Sequence, residues 1–176
     1  MLKSLLKISI CFLAFVAVEA SASQSLANKY IKNAKPVGTG DLHFLFWKVY
    51  DVVLYAPEGE YQPSSPYALK IIYDMDFDSA DIAKRSVEEM KKQGFNDSAK
   101  LNEWQKKMAE VFPDVEKGSS ITGIRDSKGN AVFYHNGEKT GVIEDSEFSE
   151  SFFAIWLDEK TSEPSLRREI LSLNDR

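Results

Sequence analysis

One stretch of this chain, from Phe44 to Tyr55, constrains the fold more than any other segment. It reads Phe-Leu-Phe-Trp-Lys-Val-Tyr-Asp-Val-Val-Leu-Tyr and is rich in β-branched and aromatic residues. This composition favours a β-strand, or a bent pair of strands starting at Leu42, and is too apolar for a loop that faces solvent. Apolar residues fall on both faces of the strand, so we expect both faces to be covered.

The first 22 residues are predicted to be a cleaved secretory signal peptide. Two lysines precede an apolar run over residues 8–18, and Ala20-Ser21-Ala22 then fits the small-x-small cleavage rule. We expect cleavage after Ala22, with Ala20 as the alternative. The apolar run is shorter than the roughly 20 residues of a membrane-spanning helix, which argues against a stable membrane anchor. The predicted location is periplasmic or secreted.

Removal of this segment leaves residues 23–176, which are long enough for a single domain with its own core. The only cysteine, Cys11, lies in the segment that is removed. Thiol catalysis, disulfides and cysteine-ligated metals are therefore excluded for the predicted mature chain. We find no internal repeat and no linker long enough to divide it.

The charge pattern argues against a nucleic-acid partner. The whole chain has a formal net charge of −5, and loss of Lys3, Lys7 and Glu19 makes it one unit more negative, −6. Basic residues form no run that would follow a phosphate backbone. The dispersed acidity is explained by solubility, and the charge pattern does not identify a protein partner, which stays unknown.

Local patterns predict the order strands, two helices, strands, two helices. Val37-Gly-Thr-Gly40 indicates a turn, and Asn136-Gly137 indicates a type I′ hairpin. The predicted elements are strands at 42–55, 67–73, 120–125, 131–135 and 138–143, and helices starting at Asp78, Asp97 or Ser98, Asp145 or Ser146, and Ser162. This order predicts an α+β fold, with helices on an antiparallel sheet.

Known catalytic and cofactor motifs are absent from the sequence. The two histidines, His43 and His135, are interpreted as a half-buried strand residue and a solvated strand-end residue. The alternating Asp74, Asp76 and Asp78 lack the ligand number and the turn glycine of a calcium loop. No cofactor and no metal are predicted.

Arg85 is the candidate ligand-binding cation. It lies in the first predicted helix near the edge of the apolar stripe, where its planar guanidinium would face a cleft and pair with a carboxylate. The alternative is a surface arginine that pairs with Asp81, four residues earlier. Tyr50 and Tyr73 lie on predicted strands, and their hydroxyl groups need partners when buried. Together these residues predict a mainly apolar pocket with a few polar points.

Several segments resemble the chalcone isomerase-like family, in its exported bacterial branch. They are Gly38-x-Gly40 with the strand that follows, the segment from Asp78 to Gly94, Phe112-Pro-Asp-Val115, Phe133-Tyr-His-Asn-Gly137, and the tryptophan-containing C-terminal helix through Ser162-Glu-Pro-Ser-Leu166. The resemblance implies an open-faced β-sandwich, in which helices cover one side of a large antiparallel sheet and a ligand cleft lies between them.

The resemblance also implies where site residues lie. The plant isomerase polarises its substrate with a strand arginine whose position here is Leu42, beside His43, and its tyrosine before the first helix corresponds to Asp78. The hydroxyl residue before the last helix matches as Ser162. The electrophile that would stabilise an enolate is therefore missing. Fatty-acid-binding relatives hold a carboxylate with an arginine and a tyrosine, roles that Arg85 with Tyr50 or Tyr73 would fill.

Three functional hypotheses follow. The leading one is a non-catalytic exported protein that binds an amphipathic or acyl-like small molecule in the cleft between sheet and helices. The first alternative is an intramolecular isomerase or lyase acting on an enone or flavonoid-like substrate. The second alternative is an envelope interaction module without a small-molecule ligand, whose cleft is filled by side chains.

Overall fold

The computed structural model describes residues 23–173, so the predicted signal peptide lies outside the described residues. Six strands and four helices of seven or more residues follow one another in the described chain. They are β1 (Ala34–Phe44), β2 (Trp47–Pro57), β3 (Tyr67–Tyr73), α1 (Ser79–Lys92), α2 (Ser98–Val111), β4 (Ser120–Arg125), β5 (Ala131–His135), β6 (Glu138–Ile143), α3 (Ser146–Leu157) and α4 (Pro164–Ile170).

The strands form one antiparallel sheet in the order β1-β2-β3-β4-β5-β6. Each strand therefore pairs with its neighbour in sequence, and the helix pairs α1–α2 and α3–α4 follow β3 and β6. The predicted α+β order is confirmed. Among the described residues, no helix combines the length and the apolarity that crossing a membrane requires.

Strand β2 shows how the alternating side chains divide the core. Val52 and Leu54 are buried on the face that carries the helices. Tyr55 is buried on the opposite face, where it packs with Leu26 and Ile31 of the N-terminal segment. Coverage of both faces, expected from the apolar pattern, is confirmed for the second half of this strand.

The turn predicted at residues 37–40 is wrong, because Gly38 and Gly40 lie inside β1 and pair with Leu54 and Val52. The chain turns instead at Leu45-Phe46, between the paired residues Phe44 and Trp47. The single long strand is therefore two strands of a hairpin. The expectation that this segment avoids solvent is also wrong for its first four residues, which form an exposed hairpin tip.

Packing of α4 against β1 explains the two glycines. A Cβ at Gly38 would lie 2.7 Å from the Ile170 carbonyl oxygen, and a Cβ at Gly40 would lie 2.7 Å from the Leu166 Cδ1 atom. Both distances are too short for any real side chain. Gly38 is therefore required for the close approach of a helix to a strand, because it faces backbone carbonyl oxygens, whereas Gly40 faces side-chain atoms that are able to move. Turn geometry is not involved at either position.

The helix starts follow the predicted caps with two differences. Asp97 and Asp145 accept backbone N–H groups at the starts of α2 and α3. Asp78 is the N-cap of α1 but its side chain makes no capping bond; Asp114 instead accepts the Ser79 N–H at 2.8 Å. The predicted cap of α4 at Ser162 is wrong by one residue, because Glu163 is the N-cap and the Ser162 hydroxyl bonds elsewhere.

Candidate functional site

A cavity of about 520 Å³ lies between the sheet and helices α1 and α3. Most of the side chains around it are apolar, and its polar members belong chiefly to α1 and to the segment before α4. The lining residues are Leu42, Phe44, Val49, Tyr50, Ile71, Tyr73, Met75, Phe77, Asp81, Ile82, Arg85, Ser86, Glu89, Phe112, Ile121, Phe152, Ile155, Trp156, Ser162 and Glu163. This size and composition are typical of pockets that bind small molecules.

The floor of the cavity is built by alternate residues of neighbouring strands. Tyr50 of β2 pairs directly with Tyr73 of β3 and with Leu42 of β1, so the three side chains share one face of the sheet. The rings of Tyr50 and Tyr73 meet edge to face, with centroids 6.2 Å apart. The pleat of the sheet thus places two tyrosines side by side beneath the helices.

A buried carboxylate, Glu89 of α1, organises the polar side of the cavity. Its side chain is 7% exposed and accepts a hydrogen bond of 2.7 Å from the Ser162 hydroxyl. Arg85 Nη2 and Lys92 Nζ lie 2.7 Å and 2.9 Å from its Oε1 atom. The carboxylate therefore joins α1 to the segment before α4.

These partners decide the charge state of Glu89. Burial by itself would raise the pKa of its carboxyl group, but the hydrogen bonds from Ser162 and Lys92 and the charge of Arg85 outweigh burial. The pKa is therefore held below its ordinary value. At neutral pH the polar side of the cavity carries an ionised carboxylate whose oxygens are already bonded.

Tyr50 connects the floor of the cavity to α3. The Trp156 Nε1–H donates a hydrogen bond of 3.0 Å to its hydroxyl oxygen. Burial raises the pKa of Tyr50 to about 12, with smaller contributions from the charges of Glu163 and Glu89. The phenol is therefore neutral under physiological conditions. Because the charges of Glu163 and Glu89 act on it, Tyr50 belongs to the polar side of the cavity.

Tyr73 lies beside Tyr50 on the floor of the cavity. Burial raises the pKa of its phenol, and the neighbouring Tyr50 raises it further. The Tyr73 ring also packs edge to face on Phe77, with centroids 5.9 Å apart. This arrangement presents a neutral hydroxyl group that is unable to act as a base near neutral pH.

Arg85 lies at the mouth of the cavity. Its side chain is 62% exposed, and Nη1 lies 3.6 Å from Glu88 while Nη2 lies 2.7 Å from Glu89. Both sequence interpretations were therefore partly right: the residue lines the cavity and also forms a helix ion pair. The partners are Glu88 and Glu89, however, and not the Asp81 that was predicted.

Five of the six predicted ligand-site residues line the cavity: Leu42, Tyr50, Tyr73, Arg85 and Ser162. The sixth, His43, is not among the lining residues, because successive side chains of β1 point to opposite faces and Leu42 takes the inward position. Its Nε2 atom lies 2.6 Å from Asp41 Oδ2, in an exposed pair. Whether any of these residues contacts a ligand stays a prediction.

Sequence reasoning missed Glu89 and Trp156 as members of the site. Glu89 lies three residues after Ser86 and four after Arg85 in the sequence. Residues with these spacings share a helix face, so the signal was present. Trp156 lies among the apolar residues of α3, and its indole N–H finds its partner in Tyr50 across the cavity.

The described residues contain no group of three or more histidine, aspartate or glutamate side chains placed to hold a metal ion. The alternating aspartates near β3 instead bind the protein itself. Asp74 pairs with Lys48 at 3.3 Å and with Lys117 at 3.0 Å, and Asp76 accepts the backbone N–H of Lys117.

Comparison with known proteins agrees with this architecture. A comparison with curated proteins finds no match. Among solved structures, the fatty-acid binding protein AtFAP1 of Arabidopsis thaliana has a similar fold, with a TM-score of 0.63 and 12% sequence identity over 80% of this chain and 87% of that chain. At this identity the likeness concerns the fold alone. The profile of the chalcone isomerase-like family matches residues 32–172, and the chain therefore belongs to that family.

Proposed function

We propose that this protein is a non-catalytic exported binder of an amphipathic, acyl-like small molecule. The observation that carries the proposal is the cavity of about 520 Å³, which is mainly apolar and has its ionised groups gathered on one side. An apolar chain gains free energy on entering such a cavity, while a polar head group remains near Arg85, Glu89 and Ser162. The proposed ligand therefore has one apolar and one polar end.

The cavity favours this reading over an interaction module without a ligand. A module whose cleft is filled by its own side chains would leave little space between sheet and helices, because protein interiors are close-packed. The space left beside Tyr50, Tyr73 and Ile71 is far larger than the voids found in ordinary cores. Most of the lining is apolar, so water gains few hydrogen bonds there.

Arg85 and the two tyrosines are proposed to hold the polar end of the ligand. A guanidinium group has five N–H donors, and the contacts to Glu88 and Glu89 occupy only part of them. The remaining donors and the neutral hydroxyl groups of Tyr50 and Tyr73 suit a carboxylate or an ester. The similar fold of a protein described as fatty-acid binding supports an acyl ligand.

The geometry gives less support to an isomerase. Ring closure through an enolate needs a preorganised cation or hydrogen-bond donor at the developing charge. The position that the resemblance assigns to the strand arginine of the plant enzyme is Leu42, and Arg85 lies on α1 at the mouth of the cavity, not on a strand. We expect no turnover of several chalcones above the uncatalysed rate; measurable turnover would replace the binding proposal with the isomerase.

Native mass spectrometry and thermal shift against a lipid extract test the binding proposal. We expect a bound species of lipid mass and a higher melting temperature. The variant Ser86→Phe adds a ring at a buried cavity position, whereas Lys84→Phe adds the same ring at an exposed position of α1. Loss of binding in the first variant alone supports the cavity site. Equal binding in both variants, or no bound species in the wild type, would refute it.

A second comparison tests the role of the polar groups. A fatty acid and the alcohol of the same chain length differ only in the head group. If Arg85 holds a carboxylate, Arg85→Gln weakens binding of the acid about tenfold and leaves the alcohol unchanged, as a charge-assisted hydrogen bond implies. Tyr73→Phe and Tyr67→Phe are compared in the same binding assay. Both tyrosines are buried on β3 but only Tyr73 lines the cavity, so only Tyr73→Phe should weaken binding.

Export is part of the proposal and has its own test. Cell fractionation with N-terminal sequencing of the purified protein is expected to give a chain starting at Ser23, or at Ser21 if cleavage follows Ala20. An intact N-terminus in the cytoplasmic fraction would contradict the export proposal and would leave the binding proposal standing.

A further inference from the structure

The tip of the β1–β2 hairpin is an exposed apolar surface. Its four residues, Phe44, Leu45, Phe46 and Trp47, are 70%, 77%, 94% and 70% exposed. Six large apolar side chains are exposed among the described residues, and these four make up most of them, with Met75 and Leu173 as the other two. Exposed apolar surface is thus concentrated at one place, which is typical of an interaction site.

Backbone geometry shows that this turn is built against local preference. Leu45 has a positive φ of 56°, a conformation that is unfavourable for a bulky side chain. The hairpin between β5 and β6 uses Asn136 and Gly137 at φ values of 49° and 86°, which are the residues that such turns favour. The chain therefore has a low-strain turn elsewhere and places leucine and phenylalanine at the β1–β2 tip despite the cost.

The tip is continuous with the mouth of the cavity. Phe44 belongs to the tip and also lines the cavity. The exposed Met75, which follows β3, lines the cavity as well. Asp74, the residue before Met75, donates its backbone N–H to the carbonyl of Val49, two residues after Trp47. A partner that covers the tip would therefore also meet the cavity mouth.

Charged residues behind the tip are paired with one another. His43 contacts Asp41 at 2.6 Å, Lys48 contacts Asp51 at 2.7 Å and Asp74 at 3.3 Å, and Lys117 contacts Asp74 at 3.0 Å. The border of the apolar tip is consequently polar and hydrated but has no excess of positive charge. Such a border suits a surface with polar, electrically neutral groups.

We propose that the tip Phe44–Trp47 inserts into the surface of a lipid bilayer that has electrically neutral head groups. Fully buried aromatic side chains contribute about 150–250 Å² each, so the three rings of the tip offer on the order of 600 Å². This area is below the roughly 800 Å² per partner of a stable protein interface, which argues against a dimer through the tip. Tryptophan is enriched at membrane–water interfaces, and phenylalanine and leucine are typical of surfaces that bury at the boundary of head groups and acyl chains.

Membrane docking goes beyond the proposed function and stands on the hairpin alone. Only one consequence rests on ligand binding: a cavity mouth that faces the bilayer would let an acyl chain pass between membrane and protein without crossing water. The docking surface itself needs no ligand, so the two ideas are tested separately.

Fluorescence of Trp47 reports directly on insertion of the tip. The full chain is mixed with phosphatidylcholine vesicles that carry brominated acyl chains, and quenching is compared with that in the Trp47→Phe variant. That variant keeps Trp104, which is fully buried, and Trp156, which lies at the cavity. We expect a blue shift in the wild type and none in Trp47→Phe, and quenching that is clearly larger in the wild type; any quenching left in Trp47→Phe reports a brominated chain beside Trp156 in the cavity. Vesicle binding without quenching of Trp47 would overturn the proposal, since another segment would then hold the protein.

Two variants separate insertion from folding. Leu45→Gly relieves the positive φ and should fold at least as well as the wild type, while it removes an inserted side chain. Phe46→Ser removes the most exposed ring, and loss of its burial is expected to weaken vesicle partitioning by about tenfold or more. Leu173→Ser is the control, because Leu173 is also an exposed apolar residue but lies away from the tip. Its neighbour Ser172 bonds the carbonyl of Val37 in β1, seven residues before the tip.

The outcomes are decisive in both directions. Reduced Trp47 quenching in Leu45→Gly and Phe46→Ser, with normal quenching in Leu173→Ser, supports docking through the tip. Equal quenching in all variants refutes it, and so does dimerisation that the tip variants abolish. A strong gain on adding anionic lipid would contradict the neutral-lipid part. Loss of ligand binding in Ser86→Phe with unchanged Trp47 quenching would leave docking intact, so failure of one idea is distinguishable from failure of the other.

Discussion

The indole of Trp156 donates a hydrogen bond of 3.0 Å to the hydroxyl of Tyr50, across the cavity from α3 to β2. The two residues are separated by 106 positions in sequence. Their bond fixes the distance between a helix of the cover and a strand of the floor at the point where charged groups gather. This contact therefore connects the shape of the cavity with the stability of the fold.

Removing either partner should lower the free energy of unfolding. We expect Tyr50→Phe to cost about 1 kcal/mol, because the Trp156 N–H loses its acceptor. Trp156→Phe should cost more, since it also removes packing against Phe152, whose ring centroid lies 5.4 Å away. Urea unfolding of both single variants and the double variant gives the coupling energy. Strictly additive effects would show that the hydrogen bond makes no net contribution.

Alkaline titration should reveal the buried phenol of Tyr50. Burial raises its pKa to about 12 from an ordinary value of 10.0. A raised folded-state pKa means that the contribution to stability is fully present below pH 10 and is lost as the pH rises towards 12. The phenolate absorbance of Tyr50→Phe, subtracted from that of the wild type, should give a group that titrates near 12. A difference curve centred near 10 would contradict the assigned burial.

Acid should weaken the fold through Glu89. Its folded-state pKa lies below the ordinary value of 4.5, so its contribution is present above pH 4.5 and is lost as the pH falls through the lowered value. Glu89→Gln should therefore have a lower free energy of unfolding at neutral pH and a smaller loss on acidification. Glu88→Gln is the matched control, because it also contacts Arg85 but is far more exposed. Identical pH profiles for the wild type and Glu89→Gln would refute this role.

The packing of α4 on β1 predicts a large effect for a single methyl group. Gly38→Ala forces a Cβ against the carbonyl oxygens of the last turn of α4, so we expect a loss of about 1–3 kcal/mol in urea unfolding. Thr39→Ala, at the next and exposed position of β1, should have little effect. Comparable losses in the two variants would mean that strand propensity, and not helix approach, decides the residue at position 38.

Much of the fold could be predicted because the relevant signals are local. The bounds of β4, β5 and β6 follow from alternation and from the Asn136-Gly137 turn. Asp97 and Asp145 mark helix starts because each side chain accepts a backbone N–H only two or three residues later. The β1–β2 hairpin could not be predicted in this way. Its turn uses Leu45 and Phe46, which carry no turn signal, while the glycines that resembled a turn serve a contact with α4, more than a hundred residues away.

The site was predicted in part for a similar reason. Tyr50 and Tyr73 could be found because strand alternation places them on one face, and Arg85 because helical spacing places it near the apolar stripe. The partners that decide what these groups can do, Glu89 and Trp156, come from contacts between separate elements. Sequence periodicity shows which face of its element a side chain lies on, but it does not show which residues of other elements contact that side chain.

The sequential strand order also has a kinetic consequence. Four of the five strand pairings join neighbours that are close in the chain, whereas β3 and β4 are separated by residues 74–119, which include both α1 and α2. Closing that long loop carries the largest entropic cost in the sheet. We therefore expect the pairing of β3 with β4 to be the slow step of folding. The same step should place α1 and α2 over the sheet, so the cavity forms late.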